Sequence, residues 1–538
     1  MSTLIERIGK SYDEMPYISC AFPATAPEHL RAVAHLFGLD APPPERARVL
    51  ELGCAAGGNL IPFAIRHPQA EVVGVDLSPV QIEAGQRAIA AMGLENLRLL
   101  QGNIADIGDS LGQFDYIICH GVYSWVPAEV RAAILELVGA QLTPDGVAHV
   151  SYNTYPGWKA KEIVRDAMML HGAHRDTPAD RLAYACSMIE FLHAQAPAQS
   201  VLAKVMQEHI DIVQADRGYY VAHEYLELCN APCYLQDFVS AAGASGLAYL
   251  GDSSVGIMFA DNYGDASQAL VNEARGDQVL LEQMADFLKN RTFRHTLMVR
   301  ADRADRICRR LDPARLLRLH LAGSFEPVDE AGQQWTMPEG AKVTTVLAHE
   351  HNLVAKLRAA WPATLAVTEL VEGLDADHTA QALGFVSNLI TADVVRFRCE
   401  PVHGGVVDPY PEVHPALRRL AELDDAPIRL CNAWHRVVTL GAAERFMLPR
   451  LDGRTSHAEL TEALADAFRA GVLRMTDNET VVADPAALHA AAMRMTQHML
   501  NWAAQSSLLV DKASQVGAST PAPGRVEKSP KARKKARK

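Results

Sequence analysis

Two neighbouring segments near the N-terminus constrain the fold more than any other part of the chain. Residues 48–59 read RVLELGCAAGGN, and residues 72–78 read VVGVDLS. The first is a short apolar strand that enters a glycine-rich turn at Gly53 and continues into a helix. The second is a buried strand that ends on Asp76. A strand, a glycine turn, a helix and a strand closing on a carboxylate predict half of a nucleotide-type site, with the carboxylate accepting ribose hydroxyls.

The residues of the glycine turn indicate which nucleotides could bind there. A dinucleotide fingerprint needs a second glycine where the chain has Ala55, and that glycine lets the backbone approach a pyrophosphate. The NAD or FAD interpretation is weakened but stays open. No Gly-Lys-Ser/Thr follows the turn, which excludes a Walker-type phosphate loop.

Composition indicates a globular protein of several domains. The chain has 538 residues, of which 49% are hydrophobic and 21% charged. No apolar run approaches the length of a membrane span, and the first residues lack the apolar segment of a signal peptide. The nine cysteines are expected to be mostly buried free thiols in a reducing compartment, so we expect a cytoplasmic protein without a metal site.

Charge is distributed unevenly along the chain. The net charge is −13, yet the last fourteen residues, RVEKSPKARKKARK, hold eight Lys/Arg and one Glu. The rest of the chain therefore carries −20, which argues against broad nucleic-acid binding and suits a basic substrate. Residues 513–538 are expected to be a disordered basic tail, the one part that could contact nucleic acid.

Strands and helices alternate from residue 47 to residue 158, which predicts a doubly wound parallel sheet. Right-handed crossovers bring the carboxyl ends of all such strands to one edge, where ligands bind. The residues that fall at predicted strand ends are Gly53, Asp76, Asn103, His120 and Tyr152.

The remaining segments complete an α/β architecture: a Rossmann-like sheet with a helical insertion, then a mostly helical bridge and a winged-helix-like C-terminal region. The expected organisation is an N-terminal arm at 1–46, a core at 47–158 and 231–265, a helical insertion acting as lid or substrate platform at 159–230, a helical bridging segment at 266–335 and the winged-helix-like region at 336–512.

Several motifs together resemble one family. They are SYDEMPY (11–17), RVLELGCAAGGNLIPFA (48–64), GVDLSPVQIEAGQ (74–86), FDYIICHGVYSWVP (114–127), SYNTYPGW (151–158), HEYLE (223–227) and NRTFRHTL (290–297). The family is the bacterial class I S-adenosylmethionine (AdoMet)-dependent methyltransferases with a methyltransferase regulatory domain, and within it the rickettsial protein-lysine methyltransferases. The resemblance implies AdoMet as cofactor and a lysine amine as acceptor.

The resemblance also implies roles for particular residues. Glu51 and Gly53 would meet the methionine end of AdoMet, Asp76 the ribose and Leu77 the adenine. Further cofactor contacts are expected from Gly57, Asn59, Asn103, Ile104, His120, Tyr12 and Tyr17. For Tyr12 and Tyr17, ordinary packing of the N-terminal arm is an equal alternative, as is a structural role for His120.

Aromatic residues cluster after the fourth and fifth predicted strands. A desolvated aromatic pocket lowers the pKa of an amine and holds a methylammonium through cation–π contact. The predicted acceptor group is therefore Tyr123, Trp125, Tyr152 and Tyr155, with His120 beside them. No single catalytic base is assigned, because water can take the proton.

The preferred function is methylation of a protein lysine, with a protein substrate and a homodimer as expected partners. A small-molecule methyltransferase is the alternative, and a closed aromatic lid would favour it. An AdoMet-sensing DNA-binding regulator is the third hypothesis. Residues 377–400 carry few cations before Arg396, which disfavours DNA binding by the winged-helix region.

Overall fold

A seven-stranded mixed sheet forms the centre of the protein in the computed structural model. Its strands are β1 (Arg48–Leu52), β2 (Glu71–Asp76), β3 (Leu97–Gln101), β4 (Phe114–Cys119), β5 (Leu142–Asn153), β6 (Leu247–Asp252) and β7 (Phe293–Arg300). The structure describes residues 2–14, 16–215, 219–328, 333–338, 340–405, 407–423, 428–474, 476–477, 480–481 and 484–510. The expected basic tail at 513–538 lies outside them.

The strand order is β3-β2-β1-β4-β5-β7-β6. The first five strands pair in parallel, with Leu50 opposite Val73 and Ile117, whereas β7 runs antiparallel to β5 and β6. Near-continuous burial along β1 and β4 is typical of strands covered on both faces.

Helices cover both faces of the sheet. One face packs against α2 (Pro27–Leu36), α3 (Ile61–Arg66) and α4 (Pro79–Met92), and the other against α5 (Ala128–Gln141) and α10 (Leu235–Ala244). The helices as far as the end of the sheet are α1 (Ser2–Glu14), α2 (Pro27–Leu36), α3 (Ile61–Arg66), α4 (Pro79–Met92), α5 (Ala128–Gln141), α6 (Gly157–Gly172), α7 (Pro178–Gln195), α8 (Val201–Ala215), α9 (Tyr219–Tyr225), α10 (Leu235–Ala244), α11 (Ser267–Ala274) and α12 (Gln278–Lys289).

The insertion between β5 and α10 is helical, as the sequence predicts. Helices α6 to α9 share a small core of their own, which includes Val164, Met168, Ile189, Met206 and Tyr225. This separate core lets the insertion stand beside the sheet edge as a distinct layer.

The segment expected to be a helical bridge contains one strand of the central sheet. Residues 266–335 were expected to be a helical bridge, yet β7 lies inside this span and inserts between β5 and β6. The helical pattern of α12 stops at Asn290, whose left-handed backbone (φ 47°) ends the helix before the strand.

The C-terminal half combines short helices with small sheets, consistent with the expected winged-helix-like region. Strand β8 (His320–Ala322) lies between β12 (Leu365–Ala366) and β13 (Arg396–Arg398) in one three-stranded sheet. The elements are α13 (Pro313–Leu316), β8 (His320–Ala322), β9 (Glu326–Pro327), β10 (Gln334–Thr336), β11 (Lys342–Thr344), α14 (Ala348–Ala360), β12 (Leu365–Ala366), α15 (Val367–Leu370), α16 (Ala376–Thr391), β13 (Arg396–Arg398), α17 (Pro415–Ala421), α18 (Ala442–Met447), α19 (His457–Arg469), β14 (Thr476–Asp477), β15 (Thr480–Val481) and α20 (Pro485–Gln505). Within the described ranges, no helix is long and apolar enough to span a bilayer.

Candidate cofactor and acceptor site

A cavity of about 300 Å³ opens at the carboxyl edge of the sheet, roofed by α1 and walled on one side by α9. Its size and mixed polar and apolar lining are those of a small-molecule pocket. Eleven of the predicted site residues line it: Tyr12, Tyr17, Glu51, Gly53, Asn59, Asp76, Leu77, Asn103, Ile104, His120 and Trp125.

The glycine turn brings the backbone close to the carboxylate that ends β2. Asp76 Oδ2 accepts a hydrogen bond from the Ala55 N–H at 2.8 Å, and its Oδ1 accepts one from the Ser78 N–H at 2.9 Å. Gly53 has a φ of 77°, and a Cβ there would lie 2.2 Å from Val122 Cγ2. Only glycine therefore allows the turn to close without displacing Val122.

Glu51 is the least satisfied acid of the site. Its side chain is 3% exposed, and Asn59 Nδ2 donates to its Oε1 at 2.7 Å. Its Oε2 has no hydrogen-bond partner in the protein. Burial raises the pKa of Glu51 to about 8, because water no longer stabilises the charge. A buried carboxylate oxygen facing a cavity without a partner suits a cationic ligand.

The cavity roof is held down by polar contacts from the N-terminal arm. Ser78 Oγ donates to Asp13 Oδ1 at 2.6 Å, and Gln81 Nε2 donates to the Tyr17 carbonyl at 2.9 Å. Tyr12 stacks on His223 of α9 with ring centroids 6.2 Å apart, and Tyr17 meets the same ring edge-on at 5.1 Å. The two predicted arm tyrosines therefore lie over the cavity.

Two further predicted contacts, Asn103 and Trp125, lie on the rim. Asn103 follows β3 and caps the next turn, since its Oδ1 accepts from the Ala105 N–H at 3.1 Å. Trp125 is 9% exposed and meets fully buried Trp158 edge-on at 6.0 Å. Of these two tryptophans, only Trp125 lines the cavity.

Three histidines come together beneath the cavity floor. His120 stacks nearly parallel on His295, with ring centroids 5.5 Å apart, and His149 Nε2 lies 3.1 Å from His295 Nδ1. Burial lowers the pKa of His120 to about 3 and that of His295 to about 4, so both rings are neutral. His120 Nδ1 shares a hydrogen bond with Ser151 Oγ at 3.0 Å. So low a pKa makes His120 a weak base and favours a structural or contact role.

Four predicted residues do not line the cavity. Tyr123 and Tyr152 are core residues packed on Phe238, and the Tyr152 hydroxyl is 3.0 Å from Thr296 Oγ1. The structure places both side chains outside the cavity: Tyr123 lies in the turn after β4 and Tyr152 in β5, and both pack into the core beneath α5 and α10. The other two are Tyr155, whose hydroxyl donates to Glu162 Oε1 at 2.5 Å outside the cavity, and Gly57, which turns the loop with a φ of 80°.

Sequence reasoning missed several lining residues. They come from segments distant in sequence: Ile5, Ile8, Ser19, Cys20, Phe22, Gln81, Val122, His223, Glu224 and Phe293. The motifs HEYLE and NRTFRHTL supply three of these, but without the fold nothing in the sequence places them opposite Asp76.

Comparison with known families divides the chain into three matched parts. The methyltransferase domain matches residues 49–146, the predicted methyltransferase regulatory domain residues 217–300, and the PKMT C-terminal winged helix domain residues 410–508. Uncharacterized protein RP789 of Rickettsia prowazekii is 40% identical over 298 residues, which span 54% of this chain and 53% of that protein.

A second relative is matched nearly end to end. Uncharacterized protein RP028 of Rickettsia prowazekii is 39% identical over 241 residues, 44% of this chain and 96% of that protein. The structure of PKMT2 from Rickettsia typhi in complex with AdoHcy superposes with a TM-score of 0.81 at 28% identity, covering 92% of this chain and 100% of that one. The chain belongs to the class I AdoMet-dependent methyltransferases. Its cofactor is S-adenosylmethionine.

The cavity of this methyltransferase fits that cofactor on its own chemistry. AdoMet carries a ribose diol and two positive charges, on its ammonium and sulfonium. Asp76 presents a carboxylate already fixed by two backbone N–H groups, and Glu51 presents an unpartnered carboxylate oxygen. No pyrophosphate cradle is required, in keeping with Ala55 in place of a second fingerprint glycine.

Proposed function

We propose that the protein transfers methyl groups from AdoMet to lysine side chains of a protein substrate. The observation that carries this proposal is the cavity wall opposite Asp76, where helix α9 of the regulatory-domain segment places Glu224. A carboxylate on the acceptor side of a methyltransferase cavity suits an ammonium substrate. The similarity to PKMT2 along nearly its whole length, and the acidic charge of the chain before its tail, agree with a basic polypeptide substrate.

Each end of the cavity has a separate task in this reaction. Bound AdoMet supplies an electrophilic methyl group on a sulfonium leaving group. Glu51 would hold the methionine end of the cofactor and Asp76 its ribose, and Leu77 and Ile104 would offer apolar contact for the adenine. The roof formed by Tyr12 and Tyr17 excludes water. The protein thereby contributes position and desolvation rather than a catalytic base.

Desolvation also prepares the acceptor. A free lysine has a pKa of about 10.4, so its amine must lose a proton before it can attack the methyl group. An apolar, aromatic lining disfavours the charged ammonium and lowers that pKa. Tyr17 and Trp125 provide this lining, while Glu224 attracts the amine at the entrance. Water then takes the proton.

Glu224 is already paired in the free protein. Its Oε1 lies 3.3 Å from Lys161 Nζ of α6, with 24% and 17% of the two side chains exposed. We infer that Lys161 occupies the place of the substrate ammonium until the acceptor displaces it. The acceptor site would thus be formed between the sheet edge and the helical insertion.

The decisive experiment uses methyl-labelled AdoMet and a bacterial lysate separated into protein, nucleic-acid and small-molecule fractions. Label should enter the protein fraction and be recovered, after acid hydrolysis, as methyllysine. Asp76→Ala serves as the control without cofactor binding and should give no label. Label confined to the small-molecule or nucleic-acid fraction would refute the protein substrate.

The role of Glu224 is tested with two matched variants. Glu224→Gln should raise the KM for the protein acceptor about tenfold while the KM for AdoMet stays unchanged, because only the acceptor's charge partner is lost. Lys161→Gln should lower the acceptor KM, because it removes the internal competitor. An unchanged acceptor KM in Glu224→Gln would contradict the assignment.

A further inference from the structure

The C-terminal winged-helix segment reaches the cofactor-binding turn directly. The Arg429 N–H donates to the Ser19 carbonyl at 3.1 Å, and Ser19 Oγ in turn accepts from the Gly58 N–H at 2.7 Å. A Cβ on Gly58 would lie 2.5 Å from the Ser19 backbone, so this contact is close-packed. The turn that binds AdoMet is therefore covered by residues far along the chain, such as His435, which contacts Asn59 from 376 positions away.

The residue at the centre of this contact is His435, which is 1% exposed. Its Nδ1 lies 3.1 Å from Arg66 Nη2, and its Nε2 lies 2.9 Å from Asn59 Oδ1. A guanidinium can only donate, so Nδ1 must be the acceptor and the proton must be on Nε2. The neutral ring therefore donates to Asn59. Burial and the nearby Arg66 lower the pKa of His435 to about 3, which keeps this tautomer uncharged.

Asn59 connects His435 to the cavity residue Glu51. Its Oδ1 accepts from His435 Nε2, from the Phe22 N–H at 3.1 Å and from Thr25 Oγ1 at 3.0 Å, which fixes the orientation of the amide. The Nδ2 group must then face the opposite way, and it donates to Glu51 Oε1 at 2.7 Å. Glu51 Oε1 is thereby occupied, and Oε2 is the oxygen left for a ligand.

The backbone conformation of His435 is unfavourable for a residue other than glycine, so surrounding contacts must stabilise it. His435 has a φ of 58°, in the left-handed region that few residues other than glycine adopt. Asn432 holds the turn, since its Oδ1 accepts from the Trp434 and Arg436 N–H groups at 3.0 Å each. Trp434 Nε1 donates to the Pro362 carbonyl at 3.0 Å. A strained residue held by several contacts is more often functional than incidental.

We propose that His435 is a positioning residue for AdoMet, acting through Asn59 on the Glu51 carboxylate. The winged-helix domain then has a role in cofactor binding besides any role in holding a protein substrate. The methyltransferase-domain segment alone lacks this donor, so its cofactor site is incomplete without the C-terminal domain. This inference depends on the AdoMet activity of the chain but not on the identity of the acceptor.

Two substitutions separate the two nitrogen atoms of the ring. His435→Gln keeps a donor near the position of Nε2, and His435→Asn keeps an acceptor near the position of Nδ1. Asparagine tolerates the left-handed backbone better than glutamine, so backbone strain alone would favour the Asn variant. We expect the opposite for cofactor binding: the Kd for AdoHcy should rise about tenfold in His435→Asn and less than threefold in His435→Gln.

The measurement is calorimetric titration of the full-length protein with AdoHcy, which needs no acceptor. In turnover assays His435→Asn should raise the KM for AdoMet and leave kcat at saturating AdoMet within about threefold. His414→Gln is the control for the stability of the same domain, because His414 caps α17 and does not touch Asn59. Its AdoHcy affinity should match the wild type.

The outcomes are distinguishable. Equal losses in the Asn and Gln variants would assign the effect to general packing and overturn the proposal. Wild-type affinity in His435→Asn would overturn it as well. A failure to methylate protein lysine with the AdoHcy results as expected would refute only the proposed acceptor.

Discussion

The unpartnered carboxylate of Glu51 leads to a prediction in which stability and binding change in opposite directions. Glutamine has nearly the same shape as glutamate and can still accept from Asn59. Glu51→Gln therefore removes the charge and little else. We expect the variant without cofactor to be more stable than the wild type and to bind AdoMet poorly.

The magnitude follows from the pKa of the buried group. The pKa of Glu51 is about 8 in the folded protein and 4.5 when exposed, so burial costs about 3 kcal/mol at pH 7. Because the folded-state pKa lies above the unfolded value, Glu51 is protonated in both states below pH 4.5 and its burial then carries no ionisation cost. The free energy of unfolding falls as the pH rises from 4.5 through 8, because only the unfolded state can ionise freely over this range. The wild-type protein should therefore lose stability between pH 5 and pH 8 relative to Glu51→Gln.

The ionisation of Glu51 also affects cofactor binding. A cationic cofactor binds the ionised carboxylate, while about nine-tenths of Glu51 is protonated in the free protein at pH 7. AdoMet binding should thus release nearly one proton, measurable by calorimetry in buffers of different ionisation enthalpy. Glu51→Gln should release none and bind roughly thirtyfold more weakly.

The assay combines thermal melting of the cofactor-free protein from pH 5 to pH 8 with calorimetric titration of AdoMet. Glu28→Gln is the control of opposite sign, because Arg66 and His67 hold the pKa of buried Glu28 well below its usual value. That variant should melt at a lower temperature. The reasoning is refuted if Glu51→Gln melts no higher than the wild type or binds AdoMet equally tightly.

Three other substitutions test the assignment of site and core. Tyr152→Phe removes a hydroxyl that contacts Thr296 away from the cavity; it should cost about 1 kcal/mol in urea unfolding and leave kcat and both KM values unchanged, and a tenfold drop in kcat would return Tyr152 to the site. Arg294→Met removes the guanidinium that pairs with the buried carboxylates of Glu282 and Asp286 and leaves Asp286 with Arg291; it should cost about 3–5 kcal/mol, and an unchanged unfolding midpoint would contradict the importance of these ion pairs. Gly58→Ala should displace the Ser19 backbone and weaken AdoHcy binding at least tenfold, whereas wild-type affinity would show that the arm tolerates the displacement.

The cofactor half of the site was accessible from the sequence because its signals are local. A glycine turn and a carboxylate at the end of the next strand depend on residues within one βαβ unit. The parallel sheet then brings those strand ends together by a general rule. This is why Glu51, Gly53, Asp76 and Leu77 were predicted and are found around one cavity.

The acceptor half depends on contacts that no local pattern encodes. Tyr123 and Tyr152 were chosen because aromatic residues follow two strands, but the direction of each side chain depends on tertiary packing, here against Phe238 of α10. His223 and Glu224 reach the cavity from α9, and His435 reaches Asn59 from the C-terminal domain. Such contacts require the position of whole segments, which the sequence pattern alone does not determine.

The place of β7 has a consequence for synthesis of the protein on the ribosome. Strand β5 is the edge of the parallel part of the sheet until β7 pairs with it, and β7 begins only at Phe293. At about 5–20 residues per second, residues 154–292 take roughly 7–28 s to emerge. During that interval a twelve-residue, largely buried strand lacks its neighbour. The nascent chain therefore has a period of exposure to aggregation, and a fragment ending before β7 would keep that edge open permanently.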